Sequence, residues 1–377
     1  MDITFLIGNG FDIGMGIASA YKKVEAHYIN IEKSDPRLQA FQQSMRNNGD
    51  YWSNFERAIG QYTDEFQDDD QSDFQFCLDD FTEELIQYLE TEEAKIDYDL
   101  CSEEIQEEFL LSISKYDADI AAKYRNEINA IIAKNGGVNF RFISFNYTHI
   151  LDRCLERTFD EKTVVGKHVS SNTNYNHFVD RNVLHIHGEL PGPIIMGVND
   201  STQISNKKWA DQRRFQQKLA KPAMNDRAGS LIDATVSKVI KGSNIICIYG
   251  MSLGETDKTW WKQIGSWLYG SDHRLILFGH NNSYSRTGFT HQRQFAIQDE
   301  MIDRFLDMAD VPASDREQLE NKIIVTINPN MFKIDLVKLT KQKKEIDDIE
   351  KEARAKEFKV ALEKHQKLSE VERSEKK

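Results

Sequence analysis

The chain has 377 residues, of which 40% are hydrophobic and 10% aromatic, enough to build the core of one large or two ordinary domains. This composition excludes a wholly disordered chain. At face value, the net charge of −13 argues against a general nucleic-acid coat protein, which needs a cationic surface to bind phosphates.

The negative charge is concentrated in one segment of the chain. Between Tyr62 and Glu108 there are 19 acidic residues and one basic residue, Lys95. The other 330 residues carry 47 basic and 42 acidic side chains, a balance of +5. The larger part of the chain is therefore compatible with a ligand that bears phosphates.

Cysteine usage and hydropathy predict a cytoplasmic protein that does not enter the membrane. The four cysteines form no CxxC pair, so we expect neither a disulfide framework nor a structural zinc site. The apolar run Ile3–Ile7 has no cationic leader and stops at Gly8, which is too short for a signal peptide. No stretch approaches the ~20 apolar residues of a membrane span. No bound metal is predicted.

Six short apolar runs predict strands. They are Ile3–Ile7, Phe140–Phe145, Val183–Ile186, Ile245–Tyr249, Leu275–Phe278 and Ile323–Ile327. Several are continuous rather than alternating, which is typical of parallel strands covered on both faces. The segments between them show helical spacing, as at Trp260, Trp261 and Ile264. We therefore expect an α/β fold with an open, mostly parallel, Rossmann-like sheet.

Two segments interrupt or extend this pattern. About 130 residues separate the first two predicted strands, far more than a crossover helix needs. We predict a large acidic helical insertion over about residues 20–135, within a nucleotide-binding domain of residues 1–335. Residues 336–377 are rich in Lys and Glu and predict a charged helical tail. The insertion and the tail are candidate docking surfaces for a protein partner, although a solvated, fraying helix explains the tail equally well.

The first candidate ligand site follows the first strand, at Gly8-Asn9-Gly10-Phe11-Asp12. Glycines allow the backbone to turn sharply and approach a phosphate, which a following helix would bind with its N-terminal N–H groups. The spacing differs from the dinucleotide fingerprint G-x-G-x-x-G, so a tight strand-to-helix turn without a ligand is the alternative. The position directly after an N-terminal strand favours a nucleotide.

Polar side chains also follow the second and third predicted strands. Asn146 leaves the second strand, where an Asn often only caps a helix. Period-two alternation predicts that His185 and His187 share one face of the third strand, as core residues or as two ligands of a metal. Ligands of an open parallel sheet collect beyond the carboxyl ends of its strands. Asn146 and His187 are therefore candidates for a water-orienting amide and a general base.

The fourth predicted strand leads into a turn that contains Ser252 and Asp257. Ser252 and Glu255 have the spacing of a capping box for the Trp-rich helix that follows. The same turn would face a ligand at the sheet edge, so Ser252 and Asp257 are also candidates for lining the site.

A basic stretch runs from Lys207 to Lys221 and surrounds Trp209 and Phe215. Such a stretch could contact phosphates or RNA, but the solvated face of an amphipathic helix is the more common explanation.

Taken in order, these stretches resemble the AbiH-type abortive-infection family of bacterial anti-phage proteins, which is placed in the sirtuin-like Rossmann superfamily. The resemblance covers about residues 1–330. The matching stretches are Ile7–Asp12, Trp52 with Phe55-Glu56, Phe145–Thr148, His185–Gly188, Met196–Asp200 and Tyr249–Asp257. Their ordered combination is more specific than any one motif.

The resemblance implies that the chain binds NAD and cleaves its nicotinamide–ribose bond with Asn146 and His187. It implies a pocket formed by Gly8, Asn9, Gly10, Phe11, Asp12, His185, Ser252 and Asp257. The sequence lacks the CxxC pairs of sirtuin deacylases and the G-A-G form of the first loop. Protein deacylation is therefore disfavoured, and NAD hydrolysis or nucleotide sensing is favoured.

Three functions remain as hypotheses. The first is an anti-phage effector with NAD glycohydrolase activity that arrests growth on a phage-derived trigger. The second is a non-catalytic nucleotide sensor that gates a partner protein. The third is a metal-dependent or nucleic-acid-cleaving toxin, based on His185, His187 and the stretch from Lys207 to Lys221. The oligomeric state, including a homo-oligomer, stays open.

Overall fold

A computed structural model describes residues 1–47, 54–281 and 291–374. Within these residues seven strands form one sheet in the order β3-β4-β2-β1-β5-β6-β7. The strands are β1 (Asp2–Ile7), β2 (Val138–Ser144), β3 (Gly166–Ser170), β4 (Thr173–His185), β5 (Ser243–Tyr249), β6 (Arg274–Gly279) and β7 (Ile323–Ile327). Neighbouring strands are parallel except for β3 and β4. The predicted mostly parallel α/β sheet is confirmed.

The six predicted strands are all present, but the third was predicted too short. β4 begins at Thr173 rather than at Val183 and forms an antiparallel hairpin with β3, which the sequence did not reveal. Ser171 and Asn172 join the two strands with positive φ angles of 48° and 63°, as a tight hairpin turn requires. β3 lies at the edge of the sheet, and its Val169 is exposed. The sequence of β3 therefore lacks the continuous apolar run that marks the buried strands.

Helices make up most of the remaining regular structure. They are α1 (Asn9–Gly14), α2 (Tyr21–Tyr28), α3 (Pro36–Asn47), α4 (Phe55–Tyr62), α5 (Gln71–Glu93), α6 (Ser102–Ser114), α7 (Ala122–Ala133), α8 (Ile150–Thr158), α9 (Lys207–Ala210), α10 (Arg213–Leu219), α11 (Lys221–Arg227), α12 (Ile232–Gly242), α13 (Lys258–Trp267), α14 (His291–Met308), α15 (Arg316–Glu320) and α16 (Leu336–Ser374). Short 3-10 helices lie at Thr63–Glu65, Ser201–Gln203 and Glu255–Asp257.

The central strands are apolar throughout because both of their faces are buried. Phe5 and Cys247 face one core, together with Phe109 of α6 and Cys154 of α8. Leu6 and its neighbours on β5 and β6 face a second core, formed with the helices from α12 to α15. This alternation is the physical origin of the continuous apolar runs in the sequence.

Every regular element described between β1 and β2 is helical, as expected for this segment. Helices α2 to α5 share a third core with α9 and α10, in which Phe55 and Phe81 stack 3.9 Å apart. Two acidic residues of α5 are buried: Glu92 accepts the backbone N–H of Ala18, and Glu93 accepts that of His149. Part of the acidic segment therefore ties helices to loops of the sheet. Its status as an insertion stays a prediction.

The predicted charged helix at the end of the chain is confirmed as α16. Its first turn is anchored, because Leu336 is buried and Thr340 accepts the N–H of Asp97. Farther along, several apolar side chains are exposed: Ile346, Ile349, Phe358, Val360 and Leu362. Within the described residues, no helix is long and apolar enough to cross a membrane.

Candidate active site

A cleft of about 520 Å³ opens where strands β1, β2, β4 and β5 end. The residues that follow these strands line it, as expected for an open parallel sheet. Leu85 and Leu89 of α5 also line the cleft, so the helical segment between β1 and β2 supplies part of its wall. Of the ten predicted site residues, eight line this cleft: Gly8, Asn9, Gly10, Asp12, Asn146, His187, Ser252 and Asp257.

The glycine loop packs tightly against the turn after β5. The N–H of Gly8 donates to Tyr249 O at 2.9 Å, and the N–H of Gly10 donates to Gly250 O at 2.8 Å. A Cβ added at Gly10 would lie 2.7 Å from the Cα of Gly250, closer than real Cβ contacts. Contact between two loops therefore explains the need for glycine at this position. Binding of a phosphate by the loop stays a prediction.

Asn9 and Phe11 point in different directions from this loop. The side chain of Asn9 donates to the carbonyl of Ser19 at 2.9 Å and lies at the cleft. Phe11 is fully buried instead, with its ring edge-on to Phe109 and Phe332. Phe11 therefore does not reach the cleft. Its side chain packs in the core and anchors the glycine loop there.

Asp12 is the centre of a buried hydrogen-bonding cluster. Its Oδ1 accepts Nδ2 of Asn146 at 2.8 Å, and its Oδ2 accepts the hydroxyl of Thr148 at 2.7 Å. Asn146 Nδ2 also lies 3.2 Å from the carbonyl of Gly8. Burial raises the pKa of Asp12 to about 7, although the hydrogen bonds from Thr148 and Asn146 oppose this shift. The cluster holds Asn146 in one orientation.

His187 and Asp257 also line the cleft, where they belong to a buried network of polar and charged side chains. His187 Nε2 lies 3.0 Å from Oδ1 of Asp257. Lys221 Nζ donates to the same oxygen at 2.9 Å and to Oε2 of Glu56 at 2.8 Å. The hydroxyl of Thr256 donates to Oε2 of Glu56 at 2.7 Å. His187 follows β4, Thr256 and Asp257 follow β5, and Lys221 is the first residue of α11. Glu56 comes from α4 of the helical segment, and only His187 and Asp257 were predicted.

The mutual attraction of Lys221 and Asp257 keeps both of these groups charged. Burial alone would raise the pKa of Asp257, but Lys221 and His187 hold it well below its ordinary value. Burial would likewise lower the pKa of Lys221, yet Asp257 and Glu56 raise it above its ordinary value. A permanent carboxylate therefore faces the imidazole of His187.

The turn that carries His187 explains its placement. β4 ends at His185, so His187 lies in the turn after the strand rather than on it. Gly188 has a φ of 76°, and the N–H of Ile195 closes the turn on the carbonyl of His187 at 2.7 Å. The prediction that both histidines share a strand face is therefore wrong, because the period-two pattern ends with the strand.

His185 does not line the cleft. Its Nε2 contacts Oδ2 of Asp152 at 3.0 Å, and its Nδ1 contacts the backbone carbonyl of Asn146 at 3.0 Å. Burial would lower its pKa, but Asp152 raises it above the ordinary value. His185 thus supports the backbone of Asn146 from outside the cleft. Across the described ranges, no group of three or more His, Cys, Asp and Glu side chains is arranged to hold a metal ion.

Ser252 lines the cleft but does not cap a helix. α13 begins at Lys258, after a 3-10 turn at Glu255–Asp257, and no side-chain cap bond is formed at its start. The predicted capping box is wrong, because the 3-10 turn separates Ser252 from the first turn of α13.

Neither the burial of Lys221 nor the role of Glu56 was predicted from the sequence. Glu56 belongs to the stretch of Trp52 and Phe55-Glu56 that resembles the AbiH-type family, and Trp52 lies outside the described residues. Lys221 ends the basic stretch, whose aromatic residues Trp209 and Phe215 are buried in the third core. This burial fits the amphipathic interpretation of the stretch and leaves neither ring free for stacking on bases. A run of basic residues in a sequence does not show which of its lysines is buried.

The fold and the cleft together define an α/β protein with a ligand-sized site beyond the carboxyl ends of a mostly parallel sheet. Residues 4–278 match the family model described as bacteriophage abortive infection AbiH. This match covers well over half of the chain, so the chain belongs to the AbiH family, and this membership indicates a role in abortive infection by bacteriophage. No curated protein matches the sequence significantly.

Proposed function

We propose that this chain is an anti-phage effector that binds NAD or a related nucleotide in the cleft and hydrolyses its nicotinamide–ribose bond. One observation carries the proposal: Asn146 and His187 follow different strands but line the same cleft as the glycine loop. The resemblance to sirtuin-like Rossmann proteins supports the same roles for these two residues.

The size and charge of the cleft support a nucleotide ligand. Its volume of about 520 Å³ lies within the range of ~300–1,000 Å³ common for small-molecule sites. Lys22 and Arg304 are among its lining residues and supply positive charge for a diphosphate. The apolar side chains of Leu85, Leu89 and Phe145 provide surface for a ring system.

Asn146 is suited to orient a water molecule. Its Nδ2 is committed to Asp12 and Gly8, and no described residue donates to its Oδ1. An amide oxygen accepts hydrogen bonds only, so Oδ1 would accept one hydrogen of the attacking water. The rigid cluster around Asp12 would keep this oxygen in place during the reaction.

His187 is suited to accept the proton of that water. In the proposed step, the water oxygen bonds to C1′ of the ribose while the bond from C1′ to the pyridinium nitrogen breaks. The electron pair of the broken bond returns to the ring, and nicotinamide leaves as a neutral molecule. The water proton passes to His187, and general-base help of this kind typically contributes ~10²–10⁴ in rate.

The proposal is tested by incubating the purified protein with NAD, with and without lysate of phage-infected cells, and measuring released nicotinamide. We expect release by the wild type and a loss of at least ~10²-fold with Asn146→Ala or His187→Gln. Asp226→Asn, an exposed substitution on α11, should leave release unchanged.

Two results would overturn catalysis by this cleft: no release under either condition, or equal release by His187→Gln. Tight NAD binding in calorimetry without release would instead favour the nucleotide sensor.

A further inference from the structure

We propose that Asp257, which is ion-paired with Lys221, is a positioning residue that holds His187 as its Nε2–H tautomer and makes Nδ1 the basic atom. The geometric part of this inference stands on contacts within the chain. Its bearing on catalysis rests on the proposed function.

The tautomer follows from the donors and acceptors around His187. Asp257 Oδ1 lies 3.0 Å from His187 Nε2, and an ionised carboxylate can only accept. Nε2 must therefore carry the hydrogen in this contact. Lys221 Nζ lies 3.5 Å from the same nitrogen, too long for a good hydrogen bond. Two donors, Nε2–H and the ammonium, thus converge on one carboxylate oxygen.

Lys221 is placed to keep Oδ1 of Asp257 as an acceptor for the hydrogen on His187 Nε2. Its ammonium lies between Asp257 and Glu56, at 2.9 and 2.8 Å, with only 6% of its side chain exposed. Without a buried cation, two desolvated carboxylates would tend to take up protons. A protonated Asp257 could donate to Nε2 and would then favour the opposite tautomer of His187.

The other nitrogen of the ring has no hydrogen-bond partner among the described residues. His187 Nδ1 is buried and forms no hydrogen bond with any described residue. In a neutral imidazole with hydrogen on Nε2, Nδ1 holds the lone pair. The ring of Phe145 lies edge-on to His187 with centroids 5.5 Å apart, and this contact limits rotation of the imidazole. Nδ1 is therefore the atom that would receive a proton.

The inference is tested directly by long-range ¹H–¹⁵N correlation spectra of the full chain labelled with ¹⁵N-histidine, without added ligand. The His187 signals are assigned by their loss in His187→Gln. We expect the Nε2–H pattern for His187 in the wild type and its replacement by a mixed or inverted pattern in Asp257→Asn. Asp152→Asn is the matched control, because it alters the partner of His185 and should leave the His187 pattern intact.

An Nδ1–H pattern in the wild type, or an unchanged pattern in Asp257→Asn, would overturn the inference whether or not the protein cleaves NAD. The remaining histidine signals in the same spectra show whether Asp257→Asn has folded. If it has not, the wild-type pattern alone decides between the two tautomers.

A kinetic measurement then tests the link to catalysis. Where the wild type releases nicotinamide, Asp257→Asn should lower kcat by about 10²–10⁴-fold while KM changes by less than about threefold, since Asp257 acts through His187. An unchanged kcat alongside an altered tautomer would show that the positioning is real but not used in this reaction. That result would overturn the catalytic part of the inference.

Discussion

Glu56 and Lys221 lie 2.8 Å apart although 165 residues separate them in the chain. Glu56 belongs to α4, in the segment between β1 and β2. Lys221 is the first residue of α11, which lies between β4 and β5 in the chain. Both side chains are more than 90% buried. The ion pair therefore joins the helical segment to α11, whose Lys221 also contacts Asp257 after β5, and the site is complete only when these parts are folded.

The first prediction concerns the stability that this pair provides. Lys221→Met should lower the free energy of unfolding by about 3–5 kcal/mol, because it leaves Glu56 and Asp257 buried without their shared cation. Urea unfolding followed by circular dichroism measures the loss. Lys207→Met, an exposed lysine of the same basic stretch, should change stability by less than about 0.5 kcal/mol. Similar free energies of unfolding for Lys221→Met and Lys207→Met would show that the buried ion pair of Lys221 does not stabilise the fold.

The strands could be predicted from the sequence, whereas the ion pair between Glu56 and Lys221 could not. Strands β1 and β5 are recognisable because burial on both faces leaves continuous apolar runs. β3 is not, because it lies at the sheet edge and its residues alternate between partly buried and exposed. The ends of strands likewise locate Asn146 and His187, since each follows a recognisable run.

Contacts between distant segments leave no local pattern. Nothing near Lys221 in the sequence distinguishes it from a solvated charge, and the motif that contains Glu56 does not show which residue its carboxylate contacts. Phe11 and Asp12 are adjacent, yet one enters the core and the other the cleft cluster, which depends on how α1 leaves the strand. The fold class follows from composition and periodicity, whereas the charge network of the site depends on tertiary packing.

The second prediction concerns the close approach of the two loops at Gly10. Gly10→Ala places a Cβ 2.7 Å from the Cα of Gly250 and 2.9 Å from its carbonyl oxygen. Because both atoms belong to the backbone, we expect a loss of about 1–3 kcal/mol in the free energy of unfolding. Gly14→Ala at the end of the same helix α1 is the control, since its Cβ would meet nothing within 4 Å. Equal thermal midpoints for the two variants would contradict this account.

The third prediction concerns the pH dependence of the His185–Asp152 pair. Its contribution is fully present below the unfolded pKa of His185, about 6.5, and is lost as pH rises through the higher folded pKa. Asp152→Asn should therefore cost more stability at pH 6 than at pH 9, because only the protonated imidazole of His185 gains from the Asp152 carboxylate. Urea titrations at both pH values measure the difference. Glu156→Gln, an exposed acid on the same helix α8, should cost the same at both.

The fourth prediction concerns Asp12, whose pKa is raised to about 7 from an ordinary value of 3.8. Between these values the folded protein retains a proton that the unfolded chain has lost. The free energy of unfolding should therefore fall by about 3 kcal/mol as pH rises from 4 to 7, through this group alone.

Asp12→Asn removes this dependence while preserving the shape of the protonated carboxyl. The amide oxygen can accept from Asn146, and the amide nitrogen can donate to the hydroxyl of Thr148, which rotates to accept. The stability of Asp12→Asn relative to wild type should rise steadily between pH 4 and pH 7 and stay constant above pH 8, as measured by urea unfolding across this range. Asp226→Asn, an exposed carboxylate on α11, should show no such trend. A parallel pH dependence for wild type and Asp12→Asn would mean that Asp12 is already ionised at pH 5, and that its hydrogen bonds outweigh its burial.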